Sequence, residues 1–184
     1  EKMPALLAYN GHAYKYLQAS SFSEADFRFA QSHLFITSFL YGLLRPSDKI
    51  HPYRMEAKVH LHAAEDQNMF AFWRSRLTDA LIEAVKKDDG VLIHLATEEY
   101  EHLFDWKQVC REVKVVQPLF YVEKGDSMKV VSVYAKRCRG AMTRCIIQNK
   151  WHQPDELLAF NEAGFSYQPH YGDELHPHFI FKQT

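Results

Sequence analysis

Apolar side chains recur at the spacing of a helix in two early parts of the chain. The apolar residues from Phe70 to Val85 follow a three- and four-residue rhythm, which predicts a helix that Asp66 caps and that Asp89-Gly90 ends. Ser23 is a good cap for an earlier helix, with acidic residues in its first turn. The chain should therefore contain at least two amphipathic helices with one face in the core.

Extended segments fill the middle of the chain. Residues 91–96 (VLIHLA) form a continuous apolar run, which is typical of a buried central strand. Residues 112–122 and 128–135 are two further runs, and the Gly125-Asp126 pair between them predicts a hairpin. A helix over 136–149, a helix that starts at Pro154 and a last strand at 178–182 complete the pattern.

Helical and extended segments follow one another without a repeat or a flexible linker. This order predicts a mixed α/β (α+β) fold, a mixed sheet flanked by helices, in a single domain over residues 1–184. With 184 residues, 47% of them hydrophobic, the chain can bury a substantial core. We expect no membrane span, because no apolar run approaches about 20 residues. We also expect a cytoplasmic protein, because the three cysteines cannot all pair. The first residues, EKMPALLAYNG, suggest that an N-terminal segment is missing. The sequence does not indicate an oligomeric state.

Charge is distributed unevenly along the chain. The net charge is −1, yet no acid occurs between Asp126 and Asp155. Cations without opposite charges nearby repel one another, which favours an anionic partner that carries phosphate. The six cations of this segment are Lys129, Lys136, Arg137, Arg139, Arg144 and Lys150.

On a helix over residues 135–147, the cations separate from the apolar positions. At about 100° per residue, Lys136, Arg137 and Arg144 fall opposite an apolar arc, with Arg139 at its edge. Gly140 falls in the basic arc, where it would let a phosphate or another backbone approach closely. A solvated helix face is the alternative, although such a face normally carries both signs of charge.

A second polar cluster lies in a predicted loop. Its functional interpretation is a phosphate-binding edge in which Asp48 and Glu56 orient Arg45 and Arg54; an internal ion-pair network is equally compatible. Asp48, Glu56 and Lys58 also resemble, loosely, the acidic motif of metal-dependent nucleases, in which carboxylates hold Mg²⁺. Glu99 would join them in that alternative. We nevertheless expect no metal and no cofactor.

Histidines are further candidates for metal binding, and cysteines are candidates for redox chemistry. His60 with His62 and His176 with His178 have the spacing of paired ligands on a strand, but a full zinc pattern is missing. Cys138 and Cys145 lie on the apolar arc of the basic helix. Neighbouring cations would lower the pKa of a thiol there, as a peroxide sensor requires, whereas buried cysteines are usually core residues.

Several segments together resemble the peroxide-stress protein YaaA family. They are AYNGHAYKYL (8–17), FAQSHLFITSFLYGLLRPSDKIHPYRMEAK (29–58), MFAFW (69–73), LIHLATEEY (92–100) and VSVYAKRCRGAMTRCIIQN (131–149). The resemblance implies a cytosolic protein that binds DNA and takes part in the response to hydrogen peroxide. It also implies a basic cleft and a helix-hairpin-helix element, here over residues 27–50.

These implications complete the functional prediction. Double-stranded DNA is the expected partner, bound through its phosphates with little sequence preference. Leu40, Tyr41 and Gly42 would offer hairpin N–H groups to phosphate. Phe39 stands where the family has glycine, so a positive φ there would be strained. Either that glycine is only a packing preference, which we favour, or hairpin binding is weakened in this chain. The whole pattern favours a binding protein over an enzyme. The predicted phosphate-binding side chains are Arg45, Arg54, Lys136, Arg137, Arg139 and Arg144.

Overall fold

A computed structural model describes residues 1–56, 58–61 and 67–182 of the protein. The helices are α1 (Ala5–Ala8), α2 (His12–Leu17), α3 (Glu24–His33), α4 (Met69–Lys87), α5 (Trp106–Glu112) and α6 (Ser132–Asn149), with 3-10 helices at Ala19–Ser21, Glu98–Leu103 and Pro154–Ala159. The strands are β1 (Met3–Pro4), β2 (Ile36–Ser38), β3 (Gly42–Leu44), β4 (Lys49–Ile50), β5 (His60–Leu61), β6 (Gln67–Asn68), β7 (Val91–Ile93), β8 (Lys114–Val116), β9 (Leu119–Lys124), β10 (Ser127–Lys129), β11 (Asn161–Glu162), β12 (Phe165–Gly172) and β13 (Pro177–Lys182).

The chain forms two compact units. The first comprises Glu1–Ala8, His33–Leu92 and Ala96–Val115, and the second comprises Tyr9–Ser32, Ile93–Leu95 and Val116–Thr184. Helices and strands mix in both, which confirms the predicted mixed α/β class. Within the described part of the chain, no helix has the length and apolar character needed to cross a membrane.

In the first unit, α4 supplies much of the core. Leu77, Leu81 and Val85 are buried along one face of this helix, as their spacing predicted. The side chain of Asn68 caps the helix by accepting a hydrogen bond from the Ala71 N–H at 2.9 Å. Asp66, the predicted cap, lies outside the described residues. The helix is followed by positive φ angles at Asp89 and Gly90, so its C-terminal end agrees with the sequence.

The helix-hairpin-helix expected over residues 27–50 does not form. After α3 ends at His33, β2 and β3 pair as an antiparallel hairpin. Gly42 has a φ of 76°, and a Cβ there would lie 2.9 Å from the Trp73 ring. The tight turn and the close approach of Trp73 therefore favour a β-hairpin whose second strand begins at glycine. The family resemblance had implied a second helix here.

Phe39 packs into the core of the first unit. Its ring is buried and stacks on Tyr100, with the ring centroids 4.6 Å apart. Its carbonyl accepts a hydrogen bond from the Trp73 indole N–H at 2.7 Å. Its φ is not among the positive values found in the described chain, so no strain arises from the missing glycine.

The predicted central strand is short and half-buried. β7 covers only Val91–Ile93 and pairs with β8 in a two-stranded sheet. The apolar run therefore overstated both the length and the burial of this strand. Just beyond it, the His94 N–H donates to the Val116 carbonyl. The strand is therefore shorter than the apolar run that predicted it.

The second unit contains the mixed sheet that the sequence predicted. Its strand order is β10-β9-β13-β12-β11. β13 runs parallel to β9, and the other neighbours are antiparallel. The predicted turn at Gly125-Asp126 joins β9 to β10. Buried aromatic rings fill the core beside the sheet: Phe120, Phe160, Phe165 and Phe179.

The basic helix begins earlier than predicted. α6 starts at Ser132, so part of the segment expected to be a strand over 128–135 is helical. Its N-cap, Val131, makes no side-chain capping bond, and its first turn carries no acid. Further on, Pro154 occupies the first turn of a 3-10 helix, as expected for a proline.

Candidate anion-binding surface

Helices α2 and α6 of the second unit pack against each other at a glycine. An ideal Cβ at Gly140 would lie 1.9 Å from the carbonyl oxygen of Ala13 and 3.0 Å from the backbone nitrogen of Leu17. Of the two uses considered for Gly140, the structure supports the approach of another backbone. The glycine is buried and is therefore not placed for contact with a phosphate.

The apolar arc of α6 is largely as predicted. Ala135, Cys138, Ala141 and Met142 are all buried. Cys145 lies at the edge of this arc and is partly exposed. The helix thus has two packed sides, one toward the core and one toward α2, which leaves less open surface than a simple amphipathic helix would have.

Arg144 is one of the predicted phosphate-binding residues, and the structure gives it four hydrogen bonds to the protein. Its guanidinium donates to the Tyr16 carbonyl and to the Gln18 side chain, each at 2.8 Å. It also donates to both oxygens of Glu162, at 2.6 and 2.7 Å. Its side chain is only 15% exposed, so Arg144 links α2 to β11 and its charge is already paired.

Lys150, just after α6, is also paired. Its ammonium contacts the Asp26 carboxylate and donates to the Ile147 carbonyl. The Lys150 hydrogen bond and a backbone bond from Ser23 lower the pKa of Asp26. The expectation of six uncompensated cations was therefore wrong for Arg144 and Lys150, because their partners come from elements distant in sequence.

The N-terminal half of α6 carries the remaining cations of the helix. Lys136 is exposed, and Arg137 is half-buried with its guanidinium 4.8 Å from the centroid of the Tyr16 ring. Arg139 is also half-buried. Among the described residues, no ion pair is found for Lys136 or Arg137. This half of the helix, with Lys136 exposed, is called the open half of α6 and forms the candidate basic surface.

Helix α2, which packs against α6, carries three further candidate residues. The sequence did not lead us to expect them as phosphate contacts. Tyr16 lies beneath Arg137, and its ring centroid is 5.7 Å from that of His12. Lys15 and His12 are exposed. A signal was present, since residues 9–23 contain no acid. This lack of acid matters for the surface because α2 packs against the basic helix α6.

In the first unit, Arg45 contacts the protein itself. Its guanidinium donates to the Leu34 carbonyl at 3.2 Å and lies 3.7 Å from the centroid of the Phe35 ring. Burial lowers its pKa, while the carboxylates of Asp88 and Asp48 act in the opposite direction. This geometry agrees with the internal network, the second interpretation of the cluster.

The other members of that cluster are more open. The Asp48 side chain accepts the Arg45 backbone N–H at 2.7 Å, which closes the turn after β3. Arg54, Glu56 and Lys58 are exposed. Ala57, between the last two, lies outside the described residues. No group of three or more metal-binding side chains is found in residues 1–56, 58–61 and 67–182.

The hairpin backbone is already partly hydrogen-bonded. The Tyr41 N–H donates to the Ser38 hydroxyl at 2.9 Å, and Gly42 is paired with Ser38 in the β2–β3 ladder. The Tyr41 hydroxyl accepts the His51 N–H at 3.3 Å. Of the predicted N–H donors at Leu40, Tyr41 and Gly42, that of Tyr41 has an internal acceptor.

Burial dominates the chemistry of the helix cysteines. It raises the pKa of the Cys138 thiol to about 12, despite the opposing charges of Arg137 and Arg139. Burial also raises the pKa of Cys145 to about 11, and the Glu162 carboxylate adds to that rise. The expected lowering by neighbouring cations is therefore wrong, and both thiols stay protonated at neutral pH.

His176 and His178 have partners within the protein, and no group of three or more metal-binding side chains is found among the described residues. His176 contacts Asp173 through Nδ1 at 3.0 Å, and Nδ1 of His178 donates to the His176 carbonyl at 2.8 Å. The His178 ring stacks on Tyr121. His62 lies outside the described residues, so the first pair has no structural description.

Comparison with known proteins agrees with the motifs on which the resemblance was based. The family model described as peroxide stress protein YaaA matches residues 1–171. The chain belongs to this family. Its motif YAKRCRG, residues 134–140, spans the open half of α6 and the glycine that contacts α2, so the family match includes the candidate surface.

Curated relatives share nearly half of their aligned residues with this chain. A UPF0246 protein of Bacteroides thetaiotaomicron is 47% identical over 173 residues, which are 94% of this chain and 67% of the relative. A UPF0246 protein of Phocaeicola vulgatus is 46% identical over 97% of this chain and 69% of its own length. One from Porphyromonas gingivalis is 45% identical, with coverages of 97% and 70%.

Proposed function

We propose that this peroxide-stress family member is a cytoplasmic protein that binds double-stranded DNA through the phosphate backbone, with little sequence preference. The observation that supports the proposal is the open basic half of α6, where Lys136, Arg137 and Arg139 occur without an acid in the segment. Lysine and arginine side chains that neutralise phosphates release counterions, which provides most of the affinity in sequence-independent binding.

Two of the arginines expected to contact phosphate have partners within the protein. Arg144 and Arg45 have protein acceptors for their guanidinium groups, so in our proposal they hold the fold. Arg54 is exposed in the first unit and remains a separate candidate contact. Of the cations on α6, Lys136 is exposed and Arg137 and Arg139 are half-buried, and these three are the proposed phosphate contacts of the second unit.

Fluorescence anisotropy with a labelled duplex, measured across a salt series, tests this proposal. The three cations of α6 should contribute roughly −2.7 to the slope of log K against log salt, or about −0.9 for each phosphate neutralised. Duplexes of unrelated sequence should bind alike. A slope near zero would contradict the electrostatic basis of the proposal.

Matched variants locate the surface. Changing Lys136 and Arg139 to alanine should weaken binding at least tenfold at about 0.1 M salt, because two counterion-releasing contacts are lost. Lys107 is an exposed lysine on α5, and Lys107→Ala serves as the control with unchanged affinity. Equal binding by the double variant and the wild type would place the DNA elsewhere.

A further inference from the structure

We propose that the phosphate-binding surface continues from α6 onto α2, where Lys15 and His12 add contacts, and that Arg144 is the positioning residue that holds α2 in place. This inference rests on the proposed DNA binding and identifies further residues of the same site. The ligand is the phosphate backbone of a duplex, contacted by two neighbouring helices instead of one.

The first support is the close and fixed contact between the helices. Because Gly140 lacks a Cβ, the Ala13 carbonyl approaches to a position that any side chain at residue 140 would occupy. Two helices at such close range present their outer side chains as one surface. Residues on α2 are therefore near the basic half of α6.

The second support is an unbroken series of side-chain contacts from one helix to the other. The Arg137 guanidinium of α6 lies over the Tyr16 ring of α2 at 4.8 Å, within the range of a cation–π interaction. Tyr16 in turn contacts His12, one helical turn earlier on α2. This series joins Arg137 to His12, which is exposed on α2, as is Lys15 one turn of helix further along the chain.

The third support is the charge of the helix pair. Residues 9–23 and 127–154 contain no acid. From elsewhere in the unit, Glu162 contacts Arg144 and Asp26 contacts Lys150. Each already neutralises a cation, so neither offsets the charge of Lys15 or Lys136.

Arg144 fits a positioning role because of what it contacts. It donates to a backbone carbonyl and a side chain at the end of α2, and its other nitrogen contacts Glu162 of β11. Loss of this link would allow α2 to shift while the cations of α6 remain. Lys15 would then lose its phosphate, although Arg144 itself touches none.

The test is a double-mutant cycle on the salt slope of duplex binding. Lys15→Gln should reduce the slope by about 0.9 and the affinity by about fivefold to tenfold at about 0.1 M salt. The control Lys107→Gln should change neither. The pair Arg144→Gln and Glu162→Gln removes the link without changing the net charge, and it should reduce the slope by the same amount.

In the variant without the link, adding Lys15→Gln should have no further effect, because the contact is already lost. Additive effects would mean that Arg144 does not act through α2 and would overturn its positioning role. If Lys15→Gln left the slope unchanged while the Lys136 and Arg139 variant still bound the duplex less tightly, this inference would be overturned and the proposed function would stand. Absence of duplex binding by the wild type would instead overturn the proposed function. Circular dichroism confirms that each variant is folded.

Discussion

Both halves of α6 carry cations, but the two halves differ in how those charges are used. In the C-terminal half, Arg144 is held by Glu162, and Lys150 beyond the helix end is held by Asp26. In the N-terminal half, Lys136 is exposed and Arg137 lies over an aromatic ring. Gly140 lies between the halves, at the contact with α2.

This difference shows why the density of cations in a sequence is a limited guide to an anion site. Paired arginines contribute to the fold, since removing one partner leaves a desolvated charge. Exposed, unpaired lysines contribute little to stability and are available to a ligand. Substitutions in the C-terminal half should therefore reduce stability more than substitutions in the N-terminal half, which should act mainly on binding.

The largest effect should come from the boundary between the halves. Gly140→Ala would place a methyl group 1.9 Å from the Ala13 carbonyl oxygen, so α2 and α6 must separate, at a cost of about 3 kcal/mol. Urea denaturation measures the change. Gly11→Ala is the matched control, because its Cβ would meet only Tyr14 at 3.9 Å; similar losses in both variants would contradict the proposed contact.

The paired half should show the next largest loss of stability. Arg144→Ala removes the partner of Glu162 together with two bonds to α2. We expect the free energy of unfolding to fall by about 2 kcal/mol, since bonds to charged groups are involved. A loss within about 0.5 kcal/mol in urea denaturation would mean that the link is not structural.

Alkaline pH should weaken the fold through the buried face of the same helix. The folded state holds the Cys138 proton up to a pKa of about 12, whereas an unfolded thiol releases it near pH 8.5. The folded state then binds more protons, so stability falls as pH rises, by about 1.4 kcal/mol per pH unit for this thiol above that value. Urea denaturation between pH 8 and 10 measures it; in the variant Cys138→Ala this part of the dependence should be absent.

The open half should show the smallest change in stability. Lys136→Ala removes an exposed side chain without an ion pair, so the free energy of unfolding should change by no more than about 0.5 kcal/mol. The same variant should bind a duplex less tightly. If it lost stability to the same extent as Arg144→Ala, the two halves would not differ in the way described.

Local sequence predicted the elements that depend on neighbouring residues. The α4 helix was read from its apolar spacing, and the Ser23 hydroxyl does accept the Asp26 N–H as a cap. The β9–β10 turn and the last strand were likewise correct. The hairpin at Gly42 was missed because its conformation depends on Trp73, which lies 31 positions later and packs against that glycine.

The sequence by itself determined the mixed α/β class, the acid-free segment and its helix, and the family to which the chain belongs. Only the tertiary structure decided which cations are open, which use Gly140 has, and whether burial or charge sets the pKa of Cys138. The physical reason is the same in each case. Charge, spacing and propensity are local properties, whereas the pairing, desolvation and close contact of a side chain depend on residues such as Ala13, Asp26 and Glu162 that only folding brings near.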